Sequence, residues 1–150
     1  MPRLILLRHA KAEAHRADDH SRVLAERGRA DATAARAFLA GQGLELAVVS
    51  TAARTRETWA LADPGDVPVV FDDRVYEASV GDLREVLGEL TVGAAVLVGH
   101  NPAVERLAYE LDATDETVQG MATCGIAAFE VSGWDLAEAR LTDWLVRGRA

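Results

Sequence analysis

The sequence has a single cysteine, Cys124, which excludes an internal disulfide and fits a reducing compartment. It is also short of cations: 16 Lys and Arg face 24 Asp and Glu, for a net charge of −8. That balance argues against sequence-independent binding to nucleic acid, which relies on a basic surface. No apolar stretch approaches the length of a membrane span, and the N-terminus lacks the apolar core of a signal peptide. Internal repeats, low-complexity tracts and linkers are missing as well. The expectation is a soluble, cytoplasmic chain with neither a nucleic-acid nor a membrane partner. A local arginine cluster can still outweigh the global field, so an anionic substrate stays open.

Hydrophobic residues make up 49% of the 150, enough for one domain with a substantial core, and residues 1–150 read as that single domain. Apolar runs alternate with amphipathic segments, the rhythm of a three-layer αβα sandwich with a mostly parallel central sheet. Strands are expected at 3–8, 46–50, 68–72 and 94–99, with two more at 126–131 and 138–146. The last is rich in arginine and tryptophan, which suits an edge. Helices are expected over 25–41, ended by Gly41 and Gly43, then to about residue 62 behind a Ser50 or Thr51 cap. Two further helices are expected at 81–90 and from Asn101-Pro102 to Leu111. Residues 11–24 read as a loop or short helix over the site.

Several of these strands end on chemically useful groups. Leu4-Ile5-Leu6-Leu7 stops on Arg8 and His9; the second strand ends at Ser50, with Arg54 one turn into the next helix; another ends at Gly99-His100-Asn101. In a mostly parallel sheet such C-terminal ends share one edge, where open α/β sheets bind ligands. Arginine forks recognise oxyanions, helix N-termini add positive dipole ends, and a neutral imidazole is a nucleophile near pH 7. The set suits a phosphate, with transfer of a phosphoryl group onto histidine.

Arg8-His9-Ala10, Ser50-x-x-x-Arg54-x-x-x-Thr58 and Gly99-His100-Asn101-Pro102 resemble the histidine phosphatase superfamily, also called the phosphoglycerate mutase-like fold. Alanine in the third position, where the wider superfamily usually has glycine, and the short chain look most like the SixA-type phosphohistidine phosphatase branch. Asp19-x-x-Ser21-Arg22-x-Leu24, Glu26-Arg27-Gly28, Tyr76-Glu77-Ala78-Ser79 and Trp144 also resemble that branch, so the likeness runs from Leu4 to about Trp144. It implies His9 as the nucleophile that becomes phosphohistidine, Arg8 and Arg54 as ligands of the phosphate oxygens, and His100 as a donor to the phosphoryl group. His9 should then keep one nitrogen unprotonated by donating from the other to a fixed acceptor such as a backbone carbonyl. His100 would usefully be protonated, its pKa raised by a bound dianion. Glu77, with Asp82 as a second candidate, is the expected general acid. A phosphoramidate would tolerate a missing acid better than an alkyl ester would.

The implied activity is a metal- and cofactor-independent phosphatase, with a phosphorylated protein or a small phosphorylated molecule as partner. A small-molecule phosphomonoesterase and a non-catalytic phospho-ligand binding module are the alternatives; a mutase fits poorly with so short a chain. Asn101 and Arg22 are further substrate-binding candidates, although Arg22 can equally pair with Asp18 or Asp19. His15, Asp18, Asp19 and His20 carry metal-ligand letters, but their spacing matches no closed site and a solvated loop is the simpler account. Cys124 reads as a small packed residue, and Trp59, Trp134 and Trp144 as core or rim packing. Specificity is expected from residues 11–24, 73–82 and 113–125.

Overall fold

The computed structural model describes residues 1–14, 18–112 and 120–149. In chain order the elements are β1 (Arg3–Arg8), α1 (Glu26–Ala40), β2 (Leu46–Ser50), α2 (Ala53–Ala62), β3 (Val69–Asp72), α3 (Val80–Gly88), β4 (Ala94–Gly99), α4 (Ala103–Leu111), β5 (Ile126–Val131) and β6 (Ala139–Leu145). The strands form one 6-stranded sheet in the order β3-β2-β4-β1-β5-β6. Pairings among β3, β2, β4 and β1 are parallel, while β5 runs antiparallel to both of its neighbours, β1 and β6. The arginine- and tryptophan-bearing β6 lies at an edge, as its composition suggested.

The central strands are continuous apolar runs because both of their faces are covered. Side chains alternate across the sheet, so each strand feeds two cores. Leu4, Leu6 and Leu97 pack with Leu83 and Leu87 of α3 and with Val104 and Leu107 of α4. Ile5, Leu7, Val96 and Val98 pack on the opposite face with Ala32, Ala35 and Leu39 of α1 and with Trp59 of α2. The result is the expected three-layer αβα sandwich. No helix among the described residues is long and apolar enough to cross a membrane.

Two helix starts differ from expectation. Neither Ser50 nor Thr51 caps α2; its N-cap is Ala52, which has no side-chain cap. Thr51 instead donates to Asp73 at 2.6 Å, and Ser50 pairs with a histidine from another strand. Helix α3 begins at Val80, a residue earlier than expected, because Ser79 and Asp82 form a reciprocal capping box.

The segment just after β1 is set against the start of α1 by a glycine. The Ala25 amide donates to the Lys11 carbonyl at 2.8 Å, and a Cβ on Gly28 would lie 2.0 Å from that same oxygen. Backbone meets backbone here, so neither side can yield cheaply. Gly28→Ala should cost about 1–3 kcal/mol of stability, read as a lowered thermal midpoint. Gly88→Ala, which meets open space at the end of α3, is the control and should hold or raise the midpoint.

Candidate active site

Parallel register brings the C-terminal strand ends to one edge. Arg8 pairs with Gly99, Val49 with Val98, and Ser50 with Asp72. His9 is the first residue beyond β1. Its amide donates to the Gly99 carbonyl at 3.0 Å, and its own carbonyl accepts from the Cys124 amide at 2.9 Å. Its ring Nδ1 lies 2.7 Å from the Ala10 carbonyl oxygen. A carbonyl only accepts, so Nδ1 carries the proton and, in the neutral ring, Nε2 keeps its lone pair. The fixed backbone acceptor anticipated for the nucleophile is therefore present. Thr58 explains its place in the sequence pattern: its hydroxyl donates to the Arg54 carbonyl at 2.7 Å and accepts from the Ala10 amide at 3.0 Å.

His100 faces His9 with ring centroids 5.4 Å apart. Its Nε2 is 2.8 Å from Oγ of Ser50, a residue with no exposed surface. That hydroxyl has no other acceptor among the described contacts, so it donates to Nε2 and leaves the imidazole proton on Nδ1. Nδ1 of His100 is buried without a protein partner, as are Nε of Arg8 and Nε of Arg54. Arg8 uses NH1 on the Met121 carbonyl at 2.8 Å. Arg54, 6% exposed, uses NH1 and NH2 on the Asp19 carbonyl and carboxylate at 2.9 and 3.1 Å. Unmatched buried donors are costly, and the Arg54 and Arg8 charges act on the His9 ring.

Electrostatics keep both histidines neutral in the protein alone. Burial, opposed only by the Ala10 hydrogen bond, and the charges of Arg54, Arg8 and Arg22 push His9 down to about 4. Burial, then His9 and Arg54, push His100 down to about 3. The protonated His100 expected in the presence of a dianion is thus not the resting state; the anion must supply the opposing charge.

The family model for the histidine phosphatase superfamily (branch 1) matches residues 4–91, more than half of the chain. The chain belongs to the histidine phosphatase superfamily. An uncharacterized protein of Mycobacterium tuberculosis (strain ATCC 25618 / H37Rv), Rv1276c, is 33% identical over 141 residues, covering 85% of this chain and 88% of that protein. Two solved structures assigned as phosphohistidine phosphatase SixA share the fold. The one from Nakamurella multipartitia superposes with a TM-score of 0.87 at 27% identity, covering 96% of this chain and 95% of its own. The one from Agrobacterium tumefaciens gives 0.81 at 32% identity, covering 97% and 98%. At 18% identity a mycobacterial glucosyl-3-phosphoglycerate phosphatase shows the same fold, with a TM-score of 0.74 over 95% of this chain and 98% of its own. The protein is a histidine-dependent phosphatase of the phosphoglycerate mutase-like fold.

The remaining candidates take different places in this phosphatase. Asn101 donates through Nδ2 to the Met121 carbonyl at 3.0 Å, the oxygen that also receives Arg8, so it braces an arginine. Arg22 spends Nε on Asp19 at 3.1 Å and NH1 on the Glu13 carbonyl at 3.2 Å, which realises the pairing alternative. Asp82 is exposed and locked into the α3 capping box, which removes it as an acid. Glu77 is exposed, at a left-handed φ of 55°, with no hydrogen bond among the described residues. Asp18 caps the turn at Asp19–Ser21, and Nε2 of His20 lies 3.0 Å from Oγ1 of Thr51; His15 lies outside the described residues, as do 113–119. Among the described residues no group of His, Cys, Asp and Glu is arranged to hold a metal. Cys124 is fully buried, and burial raises its thiol to about 12, so it is packing and not a nucleophile. The sequence reading named Ser50 and Tyr76 within motifs but gave neither a contact with His100; the Ser50 hydroxyl pairs with it and the Tyr76 ring meets it edge-on at 5.6 Å.

A neutral buried His9 has a consequence for folding. Unfolded, it titrates near 6.5; folded, near 4. Between those pH values the unfolded chain holds the extra proton, so stability falls as pH drops through that window. His9 alone should withdraw about 2 kcal/mol between pH 7 and pH 5. Urea titrations should show this slope in the wild type and a shallower one in His9→Gln; equal slopes would contradict a neutral His9.

Proposed function

We propose that this phosphatase hydrolyses phosphohistidine in a protein substrate, through a covalent phosphohistidine on His9. The observation that carries the reading is a neutral His9 whose Nε2 is unprotonated, with the His100 ring 5.4 Å away and the charges of Arg54 and Arg8 acting on it. In the first step Nε2 attacks phosphorus; a P–N bond to His9 forms while the bond to the leaving ring nitrogen breaks, its electron pair staying on that nitrogen, and a proton on the other nitrogen of the leaving ring lets it depart as neutral imidazole. In the second step water attacks phosphorus, the P–Nε2 bond breaks, and phosphate leaves with the water's oxygen, its proton passing to solvent. Arg8 and Arg54 hold the nonbridging oxygens, and His100 stabilises their growing charge. Glu77 is the carboxylate assigned to proton traffic at the leaving group, while Asn101 and Arg22 act through Arg8 and Asp19. The SixA assignments of structures 27% and 32% identical support the phosphohistidine substrate. Residues 1–150 are taken to act as one cytoplasmic domain without nucleic-acid or membrane partners, on the charge balance and the lone Cys124.

A panel of phosphohistidine peptide, phosphoramidate and sugar phosphates tests the reading. Wild type should turn over the peptide best and trap a 32P label on His9. His9→Ala should lose at least about four orders of magnitude in turnover, together with the label. Equal or faster turnover of sugar phosphates would favour a small-molecule phosphomonoesterase, a chemistry the same fold carries in glucosyl-3-phosphoglycerate phosphatase. Phosphate binding without hydrolysis of any donor would point to a binding module.

A further inference from the structure

Arg54 has two sets of donors, and only one of them is committed within the protein. Its terminal fork is spent on one residue: NH1 reaches the Asp19 carbonyl at 2.9 Å and NH2 the Asp19 carboxylate at 3.1 Å. Its Nε remains buried and unmatched. The same Asp19 oxygen that receives NH2, Oδ2, also receives the Tyr76 hydroxyl at 2.7 Å, while Oδ1 receives Nε of Arg22 at 3.1 Å. One carboxylate therefore gathers two guanidinium groups and a phenol.

The exposures of the partners differ sharply. The Arg54 side chain is 7% exposed, whereas that of Asp19 is 52% exposed. For a surface ion pair this arrangement would be worth little. Here the carboxylate grips the end of a buried cation whose charge acts on His9. It also fixes Tyr76, whose ring stands edge-on to His100 at 5.6 Å and to His20 at 4.7 Å. Asp19 itself begins the 3-10 turn Asp19–Ser21, held by the Asp18 cap, so its position is set by main chain as well.

We propose that Asp19 is a positioning residue: it clamps the Arg54 fork and so fixes the guanidinium beside His9 for the phosphoryl group, and it seats Tyr76 against His100. The proposal rests on the reading of Arg54 as a phosphoryl ligand. It makes the segment around residue 19 a part of the phosphate site that touches no reacting atom. It opposes a second use of the same contacts, in which the carboxylate occupies Arg54 in place of the phosphoryl group and must leave before substrate binds. The two uses predict opposite signs. A clamp strengthens anion binding, and a competitor weakens it.

Inorganic phosphate binding, measured by calorimetry, separates them without need of turnover. Asp19→Asn keeps the shape and one acceptor but loses the charge. It should weaken phosphate binding by about tenfold or more and lower kcat/KM in parallel, as expected when an oriented ligand is loosened by an ångström. Asp19→Ala should go further. In wild type the Arg54 Nε–H should give a resolved, slowly exchanging 15N–1H signal that is lost in Asp19→Asn, a change that a general loss of stability at unchanged fold would not produce. Thermal melts confirm folding; if Asp19→Ala fails to fold, Asp19→Asn carries the test. Tighter phosphate binding by Asp19→Asn, or binding within twofold of wild type, overturns the proposal. Arg54→Met identifies the source of a failure. If it too binds phosphate like wild type, the reading of Arg54 as a phosphoryl ligand falls and takes the proposal with it; if it loses phosphate while Asp19→Asn does not, only the clamp falls.

Discussion

The main chain holds His9 at three points: amide to Gly99, carbonyl from Cys124, and ring Nδ1 to Ala10. The Gly99 contact comes with the β1–β4 pairing, whereas Ala10 is the next residue and is itself held by Thr58. A backbone carbonyl fixes the tautomer without adding a negative charge. A carboxylate in that place would favour the imidazolium and so raise the pKa of a group that needs a free lone pair. The backbone of His9 is thus set by strand pairing and its ring by Ala10, while its neutrality comes from burial and the arginines. Both follow from placing a histidine one residue past a strand whose central residues are buried.

The same arrangement stores an unfavourable feature. An acidic protein concentrates Arg8, Arg54 and Arg22 near His9, and leaves buried donors unmatched. Folding alone would not select this, since unmatched buried donors and like charges weaken a core. Sites that bind charged groups routinely break the rules that the remainder of the fold obeys. A phosphoryl dianion would satisfy the donors and oppose the cations together. It would also reverse the field at His100, which burial and its neighbours otherwise hold neutral. Anion binding and protonation of His100 are therefore linked: each favours the other.

What could be read from the sequence was what depends on short range. Buried parallel strands are continuous apolar runs, so β1, β2 and β4 and the polar groups at their ends were visible, and those ends carry Arg8, His9, Ser50 and His100. The antiparallel pair β5 and β6 emerged within a residue of its expected bounds. What was missed depends on side chains meeting from afar. Ser50 looked like a helix cap because capping is the local use of a serine after a strand; a histidine 50 residues away claims its hydroxyl instead. Tyr76 and Asp19, 57 positions apart, share a hydrogen bond that no periodicity announces. The Met121 carbonyl that receives Arg8 and Asn101 is backbone, and no residue letter encodes it.

The distribution of carboxylates bears on which bond this site can break. Asp82 is spent on a helix cap. Asp19 is held by Tyr76, Arg54 and Arg22 and pulled down to about 2, which makes it a poor proton donor at neutral pH. Glu77 is exposed and tied to nothing among the described residues. A site of this kind offers strong stabilisation to the transferring phosphoryl group and weak assistance to the group that departs. An alkoxide leaving group needs a proton delivered as its bond breaks, because its conjugate acid is a very weak acid. An imidazole, with a pKa near 6.5, gains its proton readily at neutral pH and departs as a neutral molecule. With Glu77 untethered and no other acid held in place to donate a proton among the described residues, such a site would favour phosphoryl groups bound to nitrogen over those bound to carbon-borne oxygen, in keeping with the proposed substrate.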